Sequence, residues 1–111
     1  MEKIELFRQG DIAFVKVDEL PKGLKEINAK ERFVLRRGEV TGHAHVLVKE
    51  NPKTKFKVLQ DKEGNYYLQI EGAPAKVVHE EHEDLILQPG AYLFVVQREF
   101  DELEYIREVK D

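Results

Sequence analysis

The chain has 111 residues and no cysteine, which excludes disulfide bonds and thiolate metal sites. Charged residues make up 36% of it, against about a quarter in typical domains, and they are mixed in sign to a net charge of −4. Because this balance produces no overall positive field, we expect no strong binding to generic duplex DNA. High Lys and Glu content with a single Met is also typical of thermophile proteins.

Length and hydropathy predict a small cytoplasmic protein. By the scaling of buried surface with chain length, 111 residues suffice for one core, so we predict a single β domain over residues 1–111. No apolar run reaches the roughly 18 residues of a membrane span or resembles a signal peptide. We therefore expect a cytoplasmic location without a membrane partner.

Turn signals divide the chain into short segments that alternate apolar and polar residues or are apolar throughout. Residues 18–28 have little periodicity and contain Pro21 and Gly23, which predicts a loop with one helical turn over residues 24–27. The other segments predict about eight or nine short strands. The segments from which these strands are drawn lie at residues 4–7, 12–17, 33–36, 38–49, 55–60, 66–71, 75–79, 85–87, 91–97 and 103–109.

This pattern predicts an all-β fold, because no segment keeps the 3.6-residue period of a helix. Residues 46–48 and 91–96 are apolar on both faces. Strands of that kind are typical of a small sandwich or barrel of short antiparallel strands, in which both faces are enclosed.

Two histidines lie two positions apart in the predicted strand 38–49. Side chains alternate between the faces of a strand, so His43 and His45 point the same way, with backbones roughly 6–7 Å apart. They share their face with the apolar Leu47. This is a chelating geometry at the end of a core.

The other two histidines, His79 and His82, form a second group within V-V-H-E-E-H-E-D. Three positions apart, they would lie on opposite faces of a continuous strand, so they can share one ion only if the chain turns or bulges near Glu80 and Glu81. The acidic run makes such a turn plausible.

Two interpretations of the histidines stay open. In the first, His43, His45, His79 and His82 bind one divalent transition metal, with zinc, manganese, nickel and iron all suited to imidazole and carboxylate ligands. In the second, they are hydrogen-bonded core residues and the acidic run is a solvated loop. The gathering of all four histidines into two tight groups favours the metal.

Three classes of function follow. A metal-dependent hydrolase or nuclease would use Glu80 or Glu81 to act on a metal-bound water. A noncatalytic binding module would use the metal only to join strands, and an interaction protein would need no metal. The sequence leaves enzymatic activity undecided, and the ligand would be a small molecule or a nucleic acid. A homo-oligomer is compatible with all three.

Arginines near the histidines suggest a second kind of site. Arg36 and Arg37 precede Gly38, and Arg98 follows Gln97. We predict that Arg37 and Arg98 form a small cationic patch for a phosphate or carboxylate, because guanidinium groups bind such anions in bidentate fashion. The alternative is pairing with surface acids.

Two family resemblances accompany these motifs. His43-Ala44-His45 followed by Glu50 resembles the first cupin motif, which implies a divalent metal in a cupin-like barrel, although the second cupin motif is missing. More of the chain resembles an uncharacterised family of small bacterial and phage-associated β proteins, and that resemblance implies no activity. It rests on Gln9-Gly10-Asp11, on G-H-x-H at residues 42–45, on H-E-E-H at residues 79–82 and on Pro89-Gly90-x-Tyr92.

Overall fold

The structure, a computed structural model, describes residues 5–27, 31–37 and 43–96. Ten strands cover most of these residues. They are β1 (Leu6–Gln9), β2 (Ile12–Val17), β3 (Lys25–Ile27), β4 (Arg32–Arg37), β5 (Ala44–Lys49), β6 (Lys55–Gln60), β7 (Tyr66–Glu71), β8 (Ala75–His79), β9 (His82–Leu87) and β10 (Gly90–Val96). Within the described ranges no helix is long and apolar enough to cross a membrane.

The strands form two antiparallel sheets. The first has the order β1-β2-β10-β7-β6-β3, and the second has the order β4-β5-β8-β9. Between residues 5 and 96, leaving aside the undescribed gaps, the strands do not close into a barrel. The all-β prediction is therefore confirmed in its sandwich form, and the cupin-like barrel is wrong.

The core lies between the two sheets because the strands alternate. In β6, Lys55 and Lys57 are exposed while Phe56 and Val58 are buried. Both sheets contribute to one apolar cluster, which buries the largest side chains completely. Its fully buried members include Phe14, Leu47, Leu68, Val77, Leu87 and Tyr92.

Most strand predictions agree with the structure, and β2, β6, β7 and β8 have the predicted bounds. The predicted helical turn at residues 24–27 is wrong. Lys25–Ile27 is a strand that pairs with Val58 to Gln60 of β6, because the edge of the sheet offers backbone partners that a three-residue segment lacks by itself. The predicted segment at 103–109 lies outside the described residues, as does the start of the predicted strand 38–49.

Candidate metal centre

The four histidines meet where three strands of the second sheet end. β5 pairs with β8 with Val46 opposite Val78, and continuing this register by one residue places His45 opposite His79. β8 turns into β9 at Glu80 and Glu81, which places His79 directly opposite His82. The turn between His79 and His82 that the sequence predicts is therefore present.

The ring distances show how closely the two groups of histidines approach. The ring centre of His79 lies 4.3 Å from that of His45, 4.7 Å from that of His82 and 5.7 Å from that of His43. The rings of His45 and His82 are stacked, with their centres 5.9 Å apart. The fold thus brings all four imidazoles predicted as ligands into one cluster.

One subset has the arrangement of a metal-binding group. His43, His79 and Glu80 each offer a ligand atom, and these atoms all lie within 4.8 Å of one another. Two atoms on one ion with bonds of about 2.0–2.1 Å are at most about 4 Å apart, so small side-chain rotations would suffice to close the group. The Glu80 carboxylate is also held in place by the backbone N–H of Ala44, at 3.1 Å from Oε2 and 3.3 Å from Oε1.

Glu81 contacts both histidines of this subset. Its carboxylate Oε1 lies 3.2 Å from Nδ1 of His43, the carboxylate–imidazole contact that orients metal-binding histidines in many sites. Its backbone N–H donates to Nδ1 of His79 at 3.0 Å. A neutral ring that accepts at Nδ1 carries its proton on Nε2, so metal binding at His79 must either displace this hydrogen bond or turn the ring.

His45 has a different environment, because it is only 4% exposed and both of its ring nitrogens face partners. Nδ1 lies 2.8 Å from Oε1 of Gln9, and Nε2 lies 2.9 Å from Oδ1 of Asp11. Asp11 in turn accepts a hydrogen bond of 2.7 Å from Nε of Arg36. His45 is thus held by contacts on both ring nitrogens, whereas His43 and His79 belong to the group whose possible ligand atoms converge.

Burial and charge shift the ionisation of this network. Burial lowers the pKa of His45 below its ordinary value of 6.5 and outweighs the hydrogen bond to Asp11, which acts in the opposite direction. Burial by itself would raise the pKa of Asp11, but the hydrogen bond and the charge of Arg36 hold it below 3.8. The pKa of Glu80 is lowered by hydrogen bonds from its own backbone N–H and from that of Ala44.

These directions predict that acid destabilises the metal-free protein. A lowered folded-state pKa means that the unfolded state binds more protons, so the contribution of His45 to stability is present above about pH 6.5 and is lost as the pH falls below it. The contribution of Asp11 is lost further down, as the pH falls through its folded-state value below 3.8. We expect the urea midpoint to be lower at about pH 5 than at about pH 8. A higher midpoint at the acidic pH would contradict this prediction.

The sequence interpretation missed three residues of the site as functional residues, namely Gln9, Gly10 and Asp11. Gln9 ends β1 in the other sheet, and Gly10 and Asp11 form the turn to β2. Gln9 and Asp11 contact His45 across the end of the sandwich. Their motif was visible as part of the family resemblance, and Gly10-Asp11 was visible as a turn signal. Neither signal indicated that this turn would face the histidines.

The predicted arginine patch and the acidic residue of the cupin-like motif are not part of the group formed by His43, His79 and Glu80. The side chain of Arg37 and the whole of Arg98 lie outside the described residues, so the cationic patch stays a prediction. Arg36 is paired with Asp11. Glu50, the acidic residue of the cupin-like motif, lies past the opposite end of β5 from His45 and contacts Lys76 at 3.5 Å.

Fold and site together define a small all-β sandwich domain with imidazoles and carboxylates gathered at one end. The family model described as Domain of unknown function (DUF8820) matches residues 8–97. Because this match covers most of the 111 residues, the chain belongs to that family. Neither the curated proteins nor the solved structures contain a significant match. Membership of an uncharacterised family is thus confirmed, and the bacterial and phage association and the G-H-x-H and H-E-E-H motifs as family features stay predictions.

Proposed function

We propose that this domain binds a divalent transition metal at the junction of β5, β8 and β9. The observation that carries the proposal is the group of His43, His79 and Glu80, whose ligand atoms converge within 4.8 Å. Imidazole and carboxylate ligands suit zinc, manganese, nickel and iron, and the ligand types by themselves do not select among these metals. His45 and His82 lie beside the group and complete the ligand set that the sequence predicts.

Two histidines and one glutamate favour a hydrolytic role over a purely structural one. Catalytic zinc sites use three protein ligands of these types and leave the fourth position to water, whereas structural sites fill all four. A bound ion would lower the pKa of that water and so supply a nucleophile at neutral pH. A metal-dependent hydrolase or nuclease is therefore the first form of this proposal.

The two predicted catalytic acids take different roles in this proposal. Glu80 contributes to the ligand group and is held by the amide of Ala44, so it would bind the ion. Glu81 is 65% exposed and contacts His43, so it would orient that imidazole and remain accessible to a water beside the ion. Glu81 is thus the better candidate for a general base.

A noncatalytic module is the second candidate, and the position of His82 supports it. Its ring centre lies 4.7 Å from that of His79, so a modest turn of the ring would supply a fourth ligand. An ion with four protein ligands would stabilise the sheet end and leave no place for water. The third class, an interaction protein without metal, would apply if no ion binds.

Metal binding can be tested with the full chain stripped by chelator and then dialysed against Zn²⁺ or Mn²⁺. We expect Glu80→Gln to weaken binding by at least about 100-fold, the upper end of what the loss of an outer-shell partner costs. Glu63→Gln is the matched control, because Glu63 is an exposed residue in the turn between β6 and β7. Equal affinity in both variants, or no bound metal in the wild type, would exclude this ion site.

Catalysis needs a separate assay. Metal-loaded protein should hydrolyse an activated phosphodiester or ester if the fourth position is open, and Glu81→Gln should reduce turnover more than metal affinity. Metal binding without turnover would favour the noncatalytic module. A cytoplasmic location, homo-oligomers and a small-molecule or nucleic-acid partner stay predictions beside this proposal.

A further inference from the structure

The buried amide of Gln9 fixes the tautomer of His45. Gln9 is 5% exposed, and its Nε2 donates to the carbonyl oxygens of Val77 at 2.9 Å and Glu83 at 2.8 Å. With both amide hydrogens committed, the oxygen Oε1 must be the atom that faces Nδ1 of His45. An amide oxygen only accepts, so Nδ1 of His45 has to donate and carries a proton.

That constraint decides what Nε2 of His45 presents to Asp11. In a neutral imidazole with its proton on Nδ1, Nε2 carries a lone pair. It lies 2.9 Å from a carboxylate oxygen of Asp11, which also carries only lone pairs when ionised. Two such atoms do not attract each other, so a cation belongs between Nε2 of His45 and Oδ1 of Asp11, either a proton or a metal ion. We call this contact the edge between Asp11 and His45.

The geometry of the edge suits a metal ion. Two ligand atoms at right angles on one ion, with bonds of about 2.0–2.1 Å, are about 2.9 Å apart, which is the distance between Nε2 of His45 and Oδ1 of Asp11. The second-sphere partner is in place as well, since a metal-binding histidine usually donates its other N–H to an oxygen, and here Gln9 provides it.

Gly10 lets a second imidazole, that of His82, lie close to the same edge. A Cβ on Gly10 would lie 2.6 Å from Nε2 of His82 and 3.2 Å from Cε1 of His45, so only glycine lets these two rings approach the turn. The φ of +58° at Gly10 also favours glycine. His82 therefore lies next to the Asp11 and His45 pair, on the side that adjoins His79.

We propose that Asp11 and Nε2 of His45 form a second divalent-cation position, so that the histidine cluster is a two-ion centre. This inference rests on the proposed function, because His79 adjoins both positions, with its ring centre 4.3 Å from that of His45. Paired ions in hydrolytic sites are roughly 3.5–4 Å apart, and together they bind the attacking and the leaving oxygen of a phosphoryl transfer. The ligand class that such a centre would take is a phosphate ester.

The test counts ions on the full chain. After removal of metal by chelator, the protein is dialysed against Mn²⁺ and the bound ions per chain are measured by elemental analysis. We expect two ions on the wild type and one on Asp11→Asn. The asparagine amide can donate to Nε2 of His45 and accept from Arg36, so this variant keeps a contact with both residues and loses the carboxylate ligand. Asp18→Asn, at an exposed loop residue, is the control and should bind two ions.

Other counts overturn the two-ion centre. One ion on both wild type and Asp11→Asn means that the edge between Asp11 and His45 holds only a proton, while the proposed function stands. If the wild type and Asp11→Asn both bind two ions, the second ion lies elsewhere. If the wild type binds one ion and Asp11→Asn binds none, a single ion binds at Asp11. No bound ion refutes both proposals.

A second measurement needs no variant and covers the case in which Asp11→Asn fails to fold. Two neighbouring Mn²⁺ ions on the wild type should give an exchange-coupled electron paramagnetic resonance spectrum. A spectrum with only the hyperfine pattern of isolated ions would refute the two-ion centre.

Discussion

Chelation of the metal-loaded protein should lower its melting temperature by about 10 °C. An ion that binds the folded state and is present at about 100 times its dissociation constant stabilises it by about 2.7 kcal/mol. For a domain of this size, each kcal/mol corresponds to roughly 4 °C. The ion would bind the folded state selectively, because it joins His43, before β5, to His79 at the end of β8, and these residues are distant in the chain. Differential scanning calorimetry with and without chelator would measure it.

Variants separate this effect from ordinary packing. His43→Ala should remove the part of the response to chelator that comes from the ion at His43, His79 and Glu80, and should leave the metal-free melting temperature nearly unchanged, because His43 is partly exposed and outside the core cluster. Glu63→Gln should keep the full response. If His43→Ala still loses about 10 °C on chelation, the ion does not bind at this group.

Replacement of Gln9 by leucine should destabilise the metal-free protein by at least about 3 kcal/mol. The leucine side chain has a similar size but neither donates nor accepts, so the carbonyl oxygens of Val77 and Glu83 and Nδ1 of His45 lose a partner together. Each polar group left unsatisfied in a buried place costs about 1–3 kcal/mol. Urea denaturation at neutral pH without metal would measure the loss.

Gln60→Leu is the matched control for this change. Gln60 also donates to a backbone carbonyl, that of Gly64 at 3.3 Å, but this hydrogen bond is exposed to solvent. We expect its loss to cost less than about 1 kcal/mol, because water replaces the lost partner. Equal costs for the two variants would mean that Gln9 does not hold the two sheets together.

The sequence by itself determined the strands and the local form of the histidine groups. Alternation of apolar and polar residues gave β6 and β7 their bounds, since each strand has one face on the core. The acidic residues Glu80 and Glu81 indicated the turn without which His79 and His82 could not share one ion, and that turn is present. These features depend on residues that are adjacent in the chain, so the periodicity of the sequence is enough to predict them.

Only the tertiary structure decided which groups meet at the end of the sandwich. Gln9 and Asp11 contact His45 from the opposite sheet, across 36 and 34 residues of chain, and Glu80 accepts from Ala44 across 36 residues. Alternation shows which face of a strand points inward, but it does not show which turn of one sheet covers which strand end of the other. The same limit applies to Lys25–Ile27, whose strand conformation comes from pairing with β6. Contacts between sheets depend on strand order and register, and these are set by the packing of the whole core.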